Sequence, residues 1–295
     1  MKYTNKYGIP QEVVDAILND RYSHEGDISV TSLLLPPRIR VLRKRHWAEI
    51  EEDVSDRLYA LYGQVIHGVL ERSDDFEAFH EERLYIEVNG WKLTGQTDLY
   101  KRKSTGEHIL RDYKFTSVFT ANKEKPEWKL QANIYAWMWR QHGFNVDKAQ
   151  IVLLFRDWRK REFERSNGSY PPPVLLVDVP LLPDEEVQKI VENLVELHQI
   201  AEGLPDELLP ICSPEERWER GGGFAVMKEK RKTALRVFDT EEEAKALIDE
   251  LISSGKKGKF YIEKRQAEPV RCLYFCNVNK FCSYFREHWA GETIG

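Results

Sequence analysis

The stretch ERLYIEVNGWKLTGQTDLYKRKSTGEHILRDYKF, residues 82–115, decides the fold. It reads as a β-meander, runs of strand-forming residues separated by turn signals. Asn89-Gly90 divides it into runs 82–88 and 91–100, and this dipeptide is the strongest short hairpin signal because both positions accept positive φ. Ser104-Thr-Gly-Glu107 turns the chain again into 108–115. Three antiparallel strands in a meander are predicted.

On the C-terminal side, residues 128–142 have helical spacing and stop at Gly143, 149–155 form a nearly continuous apolar strand, 174–179 another, and 183–202 a helix. On the N-terminal side a short helix is expected at 11–19, followed by a polar connection to 27. Ile28-Ser-Val-Thr-Ser-Leu33 then leads to Pro36-Pro37, the first turn of a basic helix. From 53 to 72 apolar residues recur at Leu58, Leu61, Tyr62, Val65, Ile66, Val69 and Leu70, a helix with one stripe for the core. Its small-residue face, Ala60, Gly63, Gln64 and His67, is where a sheet or ligand can approach. Together these elements predict an α/β fold, a mixed central β-sheet flanked by helices.

Asp112 and Lys114 are two apart on one strand and project from the same face. Pairing across the meander brings Asp98 beside Asp112. Two carboxylates that close repel unless a cation lies between them, and hard oxygen ligands suit Mg²⁺ or Mn²⁺. Such an ion polarises a phosphodiester and lowers the pKa of a bound water. Lys114 is placed to orient that water or to stabilise charge developing on phosphorus. Tyr113 turns its side chain into the core and offers its backbone carbonyl to the ion. Gln131 and Tyr135 are four apart and share a helix face, within reach of a nucleotide. His67 is either a further ligand or phosphate contact, or a histidine satisfied at a packing surface. Asp-x-Lys on a strand is common, and only the ordered set carries the reading. The acidic pair Glu81/Glu82 fits two strand registers and stays outside the site.

The composition, 41% hydrophobic and 32% charged, is that of a globular chain. No apolar run is long enough to span a bilayer. The first ten residues lack a signal-peptide core, so secretion is not expected and a cytoplasmic location is. A formal net charge of −5 argues against blanket nucleic-acid binding but allows a local basic track. Arg38, Arg40, Arg43, Lys44, Arg45 and His46 make one, which by itself reads as a solvated helix face and beside the metal site as a phosphate contact, with Arg43 and Lys44 then the expected DNA contacts.

After Leu204-Pro205 the composition shifts. Strands at 224–228 and 234–238, a capped helix at 240–254 and a strand at 260–263 form a ββαβ unit between Cys212 and Cys272. Cys276 and Cys282 complete a three-plus-one set. Without a signal peptide the chain is expected to stay reduced, which disfavours disulfides. Four thiolates suit a [4Fe–4S] cluster or Zn²⁺, or four ordinary buried cysteines, and spacing does not decide among them.

His67, Gly95-x-x-Asp98, Asp112-x-Lys114 and Gln131-x-x-x-Tyr135 together resemble the motif series of RecB-type nucleases in the PD-(D/E)XK superfamily. The surrounding chain resembles phage-encoded members and relatives of the CRISPR adaptation nuclease, with Gln131-Ala-Asn-Ile-Tyr-Ala-Trp137 and Arg156-Asp-Trp158 adding to the likeness. It covers about residues 28–180, and the cysteines more loosely. The resemblance implies a restriction-endonuclease-like core and a metal-dependent DNA exonuclease in end processing, recombination or phage DNA metabolism. Asp98, Asp112 and His67 would be ligands, Lys114 catalytic, and Gln131 and Tyr135 DNA-positioning. It also favours a [4Fe–4S] cluster over zinc. Here, however, Cys212 follows the core and the first C-terminal gap is three residues, departures from the family pattern. Besides DNA, recombination or replication proteins are the partners it implies, in a bacterial or phage-infected cell; no membrane partner is expected, since no apolar run is long enough to span a bilayer. The expected layout is a helical, basic segment at 1–46, the nuclease core at 47–204, and a cysteine module at 205–295 with the insertion at about 222–265. The competing reading is a non-catalytic DNA-binding or scaffolding subunit that retains the fold. No ATP-binding Gly-x-x-x-x-Gly-Lys-[Ser/Thr] loop is present.

Overall fold

Asn89 and Gly90 take φ of 49° and 76°, the left-handed pair of a two-residue hairpin turn, in the computed structural model of this chain. The structure describes residues 1–19, 26–72, 78–289 and 291. Most of the polar connection expected after residue 19 lies outside them. The chain divides into two units, Met1–Pro205 and Asp206–Gly295.

The first unit opens with β1 (Lys2–Thr4) and α1 (Gln11–Leu18). β2 (Ile28–Ser29) runs into one helical turn, α2 (Val30–Leu33), which Ser29 Oγ caps by accepting from Ser32 N at 3.1 Å. α3 (Pro37–Arg45) starts on proline, as expected, and is followed by β3 (Glu51–Asp53) and α4 (Leu58–Leu70). Then come the hairpin β4 (Ala78–Val88) and β5 (Trp91–Arg102), β6 (His108–Thr116), α5 (Pro126–Gln141), β7 (Lys148–Phe155), α6 (Lys160–Arg165), β8 (Val174–Val179) and α7 (Asp184–Gly203).

Six strands form one mixed sheet in the order β2-β5-β6-β7-β8, with β4 on the opposite edge of β5. β6 and β7 are parallel, joined through α5, and the β4/β5, β5/β6 and β7/β8 pairs are antiparallel. The α/β reading therefore holds. The first 46 residues are woven into this unit, since β1 pairs with β3 and β2 with β5.

α5 is almost wholly buried from Ala132 to Trp139. Trp139 stacks on Tyr100 with ring centroids 4.1 Å apart and donates to Thr97 Oγ1 at 3.2 Å, which fixes the helix on the sheet. α4 departs from expectation. The helix forms, but none of its residues is buried, and Tyr62, Val65 and Val69 are 45%, 56% and 55% exposed. Leu58 and Leu61 pack against the cluster of Val14, Ile17 and Val54, while Gly63 and His67 turn toward the sheet. The small face, and not the wide apolar stripe, makes the close approach.

In the second unit β9 (Glu219–Arg220) precedes β10 (Gly223–Lys228), β11 (Arg236–Phe238), α8 (Glu241–Ser253), β12 (Phe260–Arg265), β13 (Glu268–Pro269) and α9 (Ser283–His288). β11-β10-β12 is an antiparallel sheet packed on α8 through Val226, Ala244 and Leu251. Thr240 caps α8 by accepting from Glu243 N at 3.3 Å. β9 pairs with β13, so a two-residue ladder closes the base of this ββαβ insertion.

Candidate active site

β5 and β6 are bridged from Arg102–His108 to Leu99–Arg111 and no further. Where the ladder stops, the Asp98 carboxylate takes its place, and Oδ2 accepts from Tyr113 N at 2.5 Å. Asp112 and Lys114 follow on the face toward α5. Lys114 Nζ donates to Asp112 Oδ1 and to Gln131 Oε1, each at 3.0 Å, and Gln131 Nε2 donates to Tyr135 OH at 3.0 Å. Gly95 permits this approach of helix to strand. A Cβ there would meet Met138 Sδ at 2.8 Å, Tyr135 Cε1 at 2.9 Å and Val30 Cγ2 at 3.1 Å.

His67 reaches the same point from α4. Its Nδ1 lies 3.2 Å from Glu81 Oε1 and 3.3 Å from Asp98 Oδ1, with the ring edge-on to Tyr113. Glu81, at φ 51°, is held by Gln96, whose Nε2 donates to its carbonyl at 3.1 Å and to Oε2 at 3.0 Å. Arg83 Nη2 in turn donates to Gln96 Oε1 at 2.5 Å. Neither Glu81 nor Gln96 was in the expected site.

The charges explain the geometry. The Asp98 carboxylate, then that of Glu81, raises the His67 imidazole to about 10, so an imidazolium sits among carboxylates at neutral pH. Burial pushes the Asp112 carboxyl up, and the Lys114 ammonium opposes that shift. Lys114 Nζ lies 2.8 Å from Asp112 Oδ2 but is aligned on Oδ1, which leaves Oδ2 buried without an aligned donor. His67, Glu81 and Asp98 offer ligand atoms within 4.8 Å of one another. Three converging carboxylates and one imidazole fit a hard divalent cation.

All these groups line one open cleft of 590 Å³, together with Tyr113 and Arg43. Tyr113 contributes its N–H and the edge contact of its ring, which lies against His67 and not on the Asp112 face. Lys44 is elsewhere: its ammonium pairs with Glu202 at 3.1 Å. Arg40 and Arg45 also reach the end of α7, Arg40 through Glu202 and His198 and Arg45 through the Glu202 carbonyl. Arg38 is buried. Of the basic track, Arg43 alone lines the cleft.

Cys212, Cys272, Cys276 and Cys282 are free thiols of the second unit. Burial first, then Glu216 and the other three thiols, raises Cys212 to about 12; burial, then Cys276 and Cys282, raises Cys272 to about 11.

A family model described as the PD-(D/E)XK nuclease superfamily matches residues 11–283. The chain belongs to that superfamily. Its central mixed sheet flanked by helices is the restriction-endonuclease-like core of these nucleases. A solved structure described as the crystal structure of SSO0001 is similar, at 19% identity and a TM-score of 0.44, covering 63% of this chain and 83% of that one. No curated protein matches. No helix among the described residues is long and apolar enough to cross a membrane.

Proposed function

We propose that this PD-(D/E)XK chain is a Mg²⁺- or Mn²⁺-dependent DNA exonuclease of RecB type, serving DNA end processing, recombination or phage DNA metabolism. The observation that carries the nuclease chemistry is the parting of β5 and β6 around Asp98, Asp112 and Lys114, with His67 and Glu81 closing the donor set. His67, Glu81, Asp98 and Asp112 would hold the ion, with the Tyr113 carbonyl as a further ligand. When bound, the ion supplies Lewis acidity at the scissile phosphate and acidifies water. Asp112 and Gln131 fix the Lys114 ammonium between them, where it orients the attacking water and meets the charge developing on phosphorus. Gln131 and Tyr135, joined to each other, hold the strand. Arg43 contacts phosphate at the cleft, and Lys44 would join it only by leaving Glu202. The exonuclease and RecB-type assignments rest on the resemblance of the motif series.

The four cysteines would hold a [4Fe–4S] cluster, with Zn²⁺ the competing occupant. Electrostatic coupling of Cys212 to Cys272, Cys276 and Cys282 supports one shared centre, four thiolates suit either occupant, and the preference for the cluster rests on the family resemblance.

The test is degradation of end-labelled linear DNA, single- and double-stranded, beside a closed circle, with Mg²⁺, Mn²⁺ or excess EDTA. Metal-dependent loss of the linear substrates with the circle intact is expected. Cutting of the circle would overturn the exonuclease assignment, and cleavage in EDTA would overturn the metal site.

A further inference from the structure

The second unit concentrates positive charge at one end of its insertion. Lys228, Lys230, Arg231 and Lys232 lie where the chain leaves β10, and Lys256, Lys257 and Lys259 where it enters β12. β10 and β12 are antiparallel neighbours with Lys228 opposite Phe260, so both connections emerge at the same end of the sheet. They also touch. Glu229 N donates to Lys259 O at 2.9 Å, and the Lys228 stem lies across Gly258, where a Cβ would come 2.5 Å from Cε.

The two connections thus bring seven cations and one carboxylate, Glu229, to one end of the sheet, in a chain of net charge −5. All but Lys228 are exposed. Three other cations of this unit are paired with carboxylates: Arg217 with Glu219, Lys245 with Glu241, Arg265 with Glu263. Among the described residues none of the seven is ion-paired with a carboxylate. Residues 229–233 and 256–259 include no apolar side chain to insert into a lipid surface. Six of the seven are lysines, point charges suited to phosphates more than to base edges.

We propose that this end of the insertion binds the phosphate backbone of DNA, without sequence preference and separately from the cleft. The choice of DNA as the polyanion rests on the nuclease reading above. Held this way, substrate is kept at raised local concentration for the cleft.

The test uses the full chain and a quadruple variant, K230Q/R231Q/K256Q/K257Q, whose positions are exposed and outside the catalytic groups. Binding to labelled duplex is followed by anisotropy in EDTA across a salt series. The slope of log Kd against log salt should fall by about 2 to 4, since each lost phosphate contact removes about 0.9, and affinity at physiological salt by roughly tenfold or more. Arginine at the same lysines, with Arg231 kept, should retain the original slope. In metal the quadruple variant should keep kcat at saturating DNA and show a raised KM. An unchanged slope and Kd in the quadruple variant overturns the proposal, whatever the unaltered protein cleaves. A fallen slope in a protein that cleaves nothing supports the surface and counts against the nuclease reading.

Discussion

His67 is the residue whose state reports most on the site. Flanked by Asp98 and Glu81, its imidazole is raised to about 10 from an ordinary 6.5. Below pH 6.5 it is protonated folded or unfolded, and its ion pairs stabilise the metal-free protein fully; that stabilisation is lost as pH rises through about 10. A nitrogen that ligates a cation must be deprotonated. Metal binding at pH 8 should therefore release about one proton, read by titration calorimetry in buffers of different ionisation enthalpy, and His67→Gln should abolish the release. If Lys114 acts as proposed, Lys114→Ala should lower kcat by about 10²- to 10³-fold with the fold intact by circular dichroism, because an ammonium that meets developing charge is lost; a fall in affinity alone would show a binding role. The convergence of Asp98, Asp112, Lys114, Gln131 and Tyr135 was legible because their spacing on strand and helix fixes which share a face. Glu81 was legible too, and missed. A two-residue hairpin turn sets the register, and counting outward from Asn89-Gly90 puts Glu81 opposite Asp98. Neither neighbouring register had to be entertained.

At the scale of elements, the distance between α5 and β5 decides whether Gln131 meets Lys114. Gly95 sets that distance, since a Cβ would press on Tyr135, Met138 and Val30 at 3.1 Å or less. Gly95→Ala should cost roughly 1–3 kcal/mol in denaturant unfolding, as overpacking does, and should lower cleavage by displacing Tyr135. Gly95→Ala with unchanged stability and rate would show that the helix yields freely. The elements were readable because their periods are strong. The fate of α4 was not, because a stripe of Tyr62, Val65 and Val69 looks the same in sequence whether it meets a core or solvent. The basic helix misled in a similar way. Arg40, Lys44 and Arg45 are claimed by Glu202, 157 to 162 residues away, and local charge pattern cannot show so distant a partner.

For the whole molecule, the two units should respond to different ligands. Cys272→Ser should lower the melting of residues 206–295 while leaving cleavage by the first unit and its metal-dependent melting shift in place, because the thiols and the carboxylates belong to separate units. Scanning calorimetry with and without Mn²⁺ distinguishes the two transitions, and a single transition shifted by both changes would contradict this. The ladder of β9 and β13 has its own consequence. It sets Glu219 beside Pro269 and Arg220 beside Glu268, so the segment between them leaves and rejoins the chain at points about 5 Å apart. Such a segment is a cassette. A tight turn can replace it, or a segment of different charge can occupy the same socket, without moving Cys212 or Cys272 in the chain order. Evolution or an engineer can thereby exchange the proposed grip on DNA while the proposed chemistry of Asp98, Asp112 and Lys114 is inherited untouched.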